Sequence, residues 1–363
     1  MKKLFLSAAF LAASLASQAQ QAPLWMRYPA ISPDGKTIVF SYKGDIYSVP
    51  ATGGEARQLT TNAAHDSYPI WSPDGKKIAF ASNREGSFDV YVMSAHGGAP
   101  TRITTNSERE IPVAFKDNDH VLFSANIMPT AESNLFASRE FSQVYEVSTQ
   151  GGRPKLYSVI PMEDISINAK GQVLYHDSKG YEDQWRKHHT SPITRDIWML
   201  DNGKYQKITA FKGEDRTPVW AADGESFYYL SEQAGSFNIY HRNIATSKDV
   251  QLTHEKKNPI RFLTSSADGL LCYGYDGEIY TVKEGAQPQK VNISITADND
   301  EPSLVRQVRS WGATEIALSP DAKEVAFVMH GDVYVTSTEY KTTKRITDTP
   351  QQERNVSFSP DGR

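Results

Sequence analysis

The sequence has 363 residues, with 39 Lys and Arg against 43 Asp and Glu, so its formal net charge is −4. This balance lacks the clustered positive charge that binds nucleic acid or anionic membranes, so neither is an expected partner. Hydrophobic residues make up 39% of the chain, which excludes a disordered protein. The single cysteine, Cys272, excludes an intrachain disulfide and Cys-based metal centres, and we interpret it as a packed core thiol.

The first predicted element is an export signal and not part of the fold. Two lysines precede an apolar stretch that runs from Leu4 to about Ala16, and the small residues Ser17 and Ala19 follow it. This is the pattern of a secretory signal peptide, so we predict that residues 1–19 are removed by cleavage after Ala19. A retained anchor is the alternative. The mature chain is expected to be exported and periplasmic.

Three short motifs recur along the rest of the chain. A DIY-type motif begins at Asp45, Asp89, Gln143, Asp196, Asn238, Glu278 and Asp332. A turn motif of the SPDG type precedes most copies, at Ser32, Ser72, Ala221, Ser266, Ser319 and Ser359. A motif of the LTT type follows most copies, at Gln58, Arg102, Lys207, Gln251 and Arg345. Each unit therefore reads as four short antiparallel strands, which is typical of a β-propeller blade.

The number of units predicts the domain organisation. Six complete units predict an all-β, six-bladed β-propeller of four-stranded antiparallel blades over residues 28–298. Residues 299–312 read as a linker, and residues 313–363 as the first blade of a second, incomplete propeller. One larger ring is the alternative. Since the sixth unit already holds four strand candidates, the last of them from Gln289 to Ser294, a strand borrowed from the other terminus is not required to close the first ring. The chain stops inside a turn, so we expect it to be the N-terminal part of a longer protein.

A charged insertion interrupts the fourth unit between its second and third strands, from Lys179 to Trp198. It can bind a peptide or a carboxylate, because arginine binds carboxylates in a bidentate geometry. Packing against another domain and metal binding by its adjacent histidines are the alternatives. Its candidate binding residues are Arg186, Lys187, His188, His189 and Arg195.

A second insertion, in the third unit, carries Arg139 as a further candidate, and a plain surface loop is its alternative. The innermost strands begin near four charged residues, Glu110, Asp164, Arg216 and Arg261. These side chains either ring an axial channel and filter charged ligands, or pair with one another and close its mouth.

No catalytic motif occurs in these residues. The sequence contains no G-x-S-x-G elbow, phosphate-binding loop or dinucleotide fingerprint. The aspartates of the SPDG-type turns are expected to bond their own backbone and not to hold calcium. We therefore predict no catalytic residue, no metal site and no cofactor here.

The repeating SPDGK–DIY–GG–LTT units resemble TolB-like propeller repeats over nearly the whole mature chain. The segment KGYEDQWRKHHTSPITRDIW and the stretch from Ala317 to Arg363 are similar to the N-terminal part of exported bacterial tricorn-type serine peptidases. The resemblance implies a six-bladed and a seven-bladed propeller, a PDZ domain and a catalytic region whose serine and histidine lie far downstream. It also implies a basic anchor for peptide carboxyl termini, with Arg139 or Arg186 as its counterpart.

The implied function is proteolysis of oligopeptides, with the propellers acting as size-selective gates. Peptide or protein substrates and the downstream domains of the same chain are the implied partners, and homo-oligomerisation is left open. Two other classes fit the repeats: a non-enzymatic TolB-like binding propeller, and the propeller of an exported prolyl-oligopeptidase-type hydrolase.

Overall fold

The structure, a computed structural model, describes residues 23–126, 142–180, 191–296 and 310–362. The chain divides into two compact units, Met1–Thr296 and Ala297–Arg363. The regular elements of the described residues are all β-strands. None of those residues forms a helix that is long and apolar enough to cross a bilayer.

The first unit contains six four-stranded antiparallel sheets, each made from one continuous stretch of chain. Blade 1 contains β1 (Arg27–Ile31), β2 (Thr37–Tyr42), β3 (Asp45–Pro50) and β5 (Arg57–Gln58), with the short β4 (Gly54–Glu55) before the last of these. Blade 2 contains β6 (Asp66–Trp71), β7 (Lys77–Ser82), β8 (Asp89–Ser94) and β9 (Thr101–Arg102). Blade 3 contains β10 (Ile111–Phe115), β11 (His120–Ala125), β12 (Gln143–Ser148) and β13 (Lys155–Ser158).

The other three blades repeat this order. Blade 4 contains β14 (Met162–Ile167), β15 (Val173–Asp177), β16 (Ile197–Asp201) and β17 (Lys204–Lys207). Blade 5 contains β18 (Asp215–Trp220), β19 (Ser226–Ser231), β20 (Asn238–Asn243) and β21 (Lys248–Gln251). Blade 6 contains β22 (Arg261–Ser265), β23 (Leu271–Tyr275), β24 (Glu278–Val282) and β25 (Gln289–Lys290), and β26 (Ile293–Ser294) follows it. The predicted all-β, six-bladed fold is confirmed.

Blades pack face to face through the two-residue periodicity of their strands. In β2, Ile38 and Phe40 belong to the apolar cluster shared with blade 6, whereas Val39 belongs to the cluster shared with blade 2. Each of the six blade-to-blade interfaces holds one such cluster. Both faces of each sheet are therefore buried by its neighbours, which is why a single blade has no core of its own. Cys272 is fully buried in the cluster between blades 6 and 1, which confirms its interpretation as a core thiol.

The recurring motifs have identifiable hydrogen-bonding roles. In blade 5, the LTT-type Thr253 donates its hydroxyl proton to Asn238 Oδ1 (3.0 Å) and accepts the backbone N–H of Ile239 (2.8 Å). The same threonine–backbone bond occurs in blades 1, 2 and 4. In these four blades the third motif thus ties the end of the outer strand to the first residues of the DIY-type strand.

The SPDG-type turns are closed by their own side chains. Ser32 Oγ donates to Asp34 Oδ1 (2.6 Å) and accepts the N–H of Thr37 (2.9 Å), while Asp34 also accepts the N–H of Lys36 (3.1 Å). The turns that begin at Ser72 and Ser319 repeat this pattern. These aspartates bond their own turns, as predicted.

The ring closes through backbone pairing between its two ends, in blades 6 and 1. Strand β26 pairs in parallel with β4 of blade 1, and Met26 N–H donates to Gly277 O of blade 6 (3.1 Å). The prediction of one fourth strand in blade 6, from Gln289 to Ser294, is therefore wrong. This segment divides into β25 and β26 because Val291 turns into the core and Asn292 O accepts the N–H of Gly54 (2.9 Å).

The second unit contains one four-stranded antiparallel sheet in its described residues. Its strands are β27 (Glu315–Leu318), β28 (Glu324–Met329), β29 (Asp332–Ser337) and β30 (Thr343–Arg345). Ile316 and Leu318 lie on one face of β27 and are 75% and 59% exposed. In the first unit, a neighbouring blade covers the apolar face of each sheet. The exposed apolar face of β27 is what the first blade of a second propeller would present to its neighbour.

Candidate functional site: an axial channel

The innermost strands of the first unit enclose an axial cavity, which we call the channel. Each of these strands contacts the innermost strands of both neighbouring blades, so the six form a closed ring. The ring encloses a cavity of about 680 Å³. Because every blade starts on its innermost strand and has four antiparallel strands, all six innermost strands begin at one face of the ring, which we call the entry face. The loops that join second to third strands lie at the same face.

A β-bulge occurs at the same position in every innermost strand. In each blade the bulge falls about four residues before the first turn, where the pairing register with the second strand shifts. The residues at this position, which we call the bulge ring, line the cavity: Tyr28, Tyr68, Pro112, Asp164, Thr217 and Phe262. All of them except Pro112 have a positive backbone φ, between 49° and 60°. Residues other than glycine rarely adopt this conformation.

Three neighbouring blades place aromatic rings on the bulge ring, and we call this set the aromatic arc. The Tyr28 ring stacks on Tyr68 at a centroid distance of 4.0 Å and meets Phe262 edge to face at 4.8 Å. Tyr28 Oη donates to Tyr68 Oη (3.1 Å), which also accepts a hydrogen bond from Arg109 Nη2 (3.2 Å). Burial raises the pKa of the Tyr28 hydroxyl well above its usual range.

The opposite side of the bulge ring is polar. Thr217 donates its hydroxyl proton to the exposed Asp164 carboxylate (2.6 Å), and its backbone N–H donates to His176 Nδ1 (3.2 Å). Because Nδ1 accepts, the ring proton of His176 is on Nε2, which donates to Glu163 Oε2 (3.0 Å). Burial alone would raise the pKa of Glu163, but the His176 hydrogen bond and the nearby Arg195 guanidinium lower it to about 2.

Arg195 lies in the wall of the channel. Its side chain is 8% exposed, with Nε 3.4 Å from Glu163 Oε2 and Nη1 3.5 Å from Glu214 Oε1. The same Glu214 oxygen is 3.4 Å from Arg216 Nη1, and the Arg216 guanidinium lies over the Phe237 ring at 4.2 Å. A ligand role for Arg195 stays a prediction. The other candidates, Arg139, Arg186, Lys187, His188 and His189, lie outside the described residues.

The four charged residues near the strand starts have different environments. Asp164, Arg216 and Arg261 line the cavity. Glu110 does not line it, because its side chain is fully buried and faces Asp89, which pairs with Arg102 (2.9 Å). Three of the four therefore belong to the channel, and Arg216 is also paired with Glu214 in the wall.

The aromatic arc and His176 were not among the residues that the sequence analysis selected. A usable signal was present: aligning the blades on their first turns places Tyr28, Tyr68 and Phe262 in one column. Two of these, Tyr28 and Tyr68, directly precede proline, as does Thr217. His176 had no such signal, since its role depends on contacts between two blades.

A serine, a histidine and a glutamate also align away from the channel. His241 Nε2 lies 2.7 Å from Ser226 Oγ, and its Nδ1 lies 3.1 Å from Glu284 Oε1, which is the order of a catalytic triad. However, Ser226 donates its proton to Asp223 Oδ2 (2.8 Å) and is only 1% exposed. A substrate cannot reach this hydroxyl, so we interpret the alignment as a bridge between blades 5 and 6.

These features define a six-bladed β-propeller with a channel of mixed aromatic and charged lining. Residues 23–288 match the family described as the tricorn protease N-terminal beta propeller domain. The chain belongs to this family.

The chain is also similar in fold to a solved structure. The chain is similar to the crystal structure of the tricorn protease, with a TM-score of 0.64 and 18% identity over 91% of this chain and 32% of that one. It is less similar to TolB from Acinetobacter baumannii (TM-score 0.46, 12% identity, 90% of this chain and 79% of that one). A Mycobacterium tuberculosis puromycin-hydrolyzing peptidase gives a TM-score of 0.46 and 13% identity over 69% of this chain and 42% of that one. No match was found among curated proteins.

At 18% identity the likeness to the tricorn protease shows the fold alone. The chain spans about a third of that protein's length, since 32% of it is covered.

Proposed function

We propose that this chain is the propeller region of an exported tricorn-type serine peptidase, and that it guides or gates oligopeptides on their way to a catalytic region outside these 363 residues. The observation that carries this proposal is the cavity on the axis of the ring, which has both aromatic and charged groups in its wall. Such a wall offers apolar surface for side chains and polar partners for a peptide backbone.

A channel-blocking variant tests the proposal. Thr217→Tyr adds a ring at a position where blades 1 and 2 already hold tyrosine with nearly the same φ, 53° and 56° against 52°. The backbone should therefore accept it. We expect the full chain to bind a labelled oligopeptide, and Thr217→Tyr to weaken binding at least tenfold, measured by fluorescence anisotropy.

The matched control is Thr101→Tyr, because Thr101 is exposed on β9, the outermost strand of blade 2, and two strands of the sheet lie between β9 and the innermost strand. It should bind peptide like the original chain. Absence of peptide binding, or equal binding by Thr217→Tyr and its control, would contradict the channel function and favour a binding surface elsewhere on the propeller.

The two insertions belong to the same proposal. Each joins the second to the third strand of its blade, so the described ends of both lie at the entry face. We propose that Arg139, Arg186, Lys187, His188, His189 and Arg195 contact the carboxylate end of a peptide there. Replacing Arg186 and Lys187 together by alanine should raise the Kd of free-acid peptides more than that of the same peptides amidated, because only the free acids carry the carboxylate. Equal effects on both would instead indicate a packing role for the insertion.

Export is part of the proposal as well, and it rests on the sequence of residues 1–19. The N-terminal sequence of the chain recovered from the periplasm of a bacterial host should begin at Gln20. Recovery of the uncleaved chain in the membrane fraction would indicate an anchor.

A further inference from the structure

We propose that the aromatic arc of Tyr28, Tyr68 and Phe262 is a subsite that binds an aromatic or large aliphatic side chain of a peptide in the channel. This inference rests on the proposed function, because it names the kind of peptide that the channel prefers. Four observations support it: backbone strain, exposure to the lumen, rigid ring placement and local charge.

The backbone at the bulge ring is held in a conformation that favours glycine. Five of the six positions have positive φ, and none of the five is glycine. Glycine would relieve the strain at each position without altering the bulge. In blade 3 the register shifts directly after Pro112, which lacks a positive φ, so a bulge can form at this place without that conformation. At these five positions the chain thus has a strained backbone and a side chain that lines the lumen, where glycine would give neither.

The three rings are only partly buried, and they border the cavity. In a core role they would be covered on all sides, as Phe40 and Phe80 are at the blade interfaces. Here the blade interfaces have their own apolar clusters, and none of these clusters contains a residue of the arc. The arc is thus additional apolar surface that faces the channel.

The rings are held in place before any ligand arrives. Tyr28 and Tyr68 are joined by both ring stacking and the bond between their hydroxyls, and Arg109 fixes Tyr68 from the entry face. Phe262 contacts the Tyr28 ring edge to face. The absence of a side chain at Gly274 leaves room for the Phe262 ring, since a Cβ at Gly274 would lie 3.0 Å from Phe262 Cδ2. A preorganised aromatic surface loses little conformational entropy on binding.

The charges beside the arc select against a cationic partner. Arg109 lies over the Tyr68 ring at 5.8 Å, and Arg261 lines the cavity next to Phe262. A second cation on these ring faces would meet like charge. The arc therefore fits a neutral side chain such as that of phenylalanine or leucine.

Two peptides of equal length and charge test this inference on the full chain: an alanine hexapeptide and the same peptide with one central phenylalanine. Aromatic pairing and apolar burial together should make the phenylalanine peptide bind about tenfold more tightly. Phe262→Gly removes the ring at a φ of 60° that glycine adopts freely, so it should fold, and its preference should fall to about threefold or less.

Two further variants complete the design. Phe262→Leu keeps an apolar side chain and should retain most of the preference, which provides a second measurement if Phe262→Gly unfolds. Tyr205→Ala removes an exposed aromatic side chain from the outer strand of blade 4 and should change nothing.

The outcomes separate the two proposals. If both peptides bind with equal affinity, or if Phe262→Gly keeps the full preference, the subsite is wrong while peptide binding stands. If neither peptide binds, the proposed function fails, and the subsite fails with it.

Discussion

At the scale of single residues, Glu110 is a carboxyl that is fully buried outside the channel. Burial, together with the charge of Asp89, raises its pKa to about 7, so it holds a proton under mildly acidic conditions. In the unfolded chain the same group loses its proton near the ordinary glutamate pKa of 4.5. Between these values the folded state binds more protons than the unfolded state, so stability falls as the pH rises from about 4.5 to about 7.

This predicts the behaviour of Glu110→Gln. The amide is neutral at every pH and can still donate a hydrogen bond toward Asp89, so this contribution to the pH dependence should disappear. As the pH rises from 5 to 8, the free energy of unfolding of the variant should therefore increase relative to that of the original chain. The increase is at most about 1.4 kcal/mol for each pH unit. Urea unfolding at both pH values measures it. Glu108→Gln, at an exposed position two residues away, is the control and should show the original pH dependence.

At the scale of the elements, the repeating motifs explain how much could be predicted from the sequence. The strands and turns follow from local signals, because alternating β-branched residues and Asp-Gly turns act within a few residues. The LTT-type threonine bonds also act within one blade, about 15 residues apart, as with Thr253 and Asn238. All six blades could therefore be predicted, together with the all-β class.

The channel lining was harder to predict because it depends on contacts between blades. Asp164 of blade 4 meets Thr217 of blade 5 although 53 residues separate them, and nothing local indicates that contact. The charged strand starts were informative for Asp164, Arg216 and Arg261, but not for Glu110, whose side chain turns into an interface. The division of the last strand of blade 6 was missed for the same reason, since it is set by pairing with blade 1.

At the scale of the whole first unit, ring closure depends on a close approach of two backbones. Gly53 has a φ of 89°, and a Cβ built there would lie 2.6 Å from Asn292 O, next to the point where β26 pairs with β4. No real Cβ atom tolerates that distance to a backbone oxygen. The glycine is thus needed for closure as well as for the turn.

Gly53→Ala should therefore destabilise the propeller more than the strained φ alone explains. The strain costs about 1–2 kcal/mol, and the clash should add to it by displacing β26. Gly97→Ala is the matched control, since it has the same place in blade 2 and a φ of 80°, but its nearest contact is a side-chain carbon at 3.5 Å. Thermal denaturation should show a clearly larger loss for Gly53→Ala, and equal losses would mean that the closing pair contributes little.

The residues of the bulge ring line the lumen and are distinct from the apolar clusters that pack the blades together. Its six residues occupy the same bulge position in their strands, and none of them belongs to the apolar clusters between the blades. Exchanging one of them changes the surface that faces the cavity and leaves the apolar clusters between the blades unchanged. A propeller built in this way can acquire a new preference by single substitutions, blade by blade, on an unchanged scaffold.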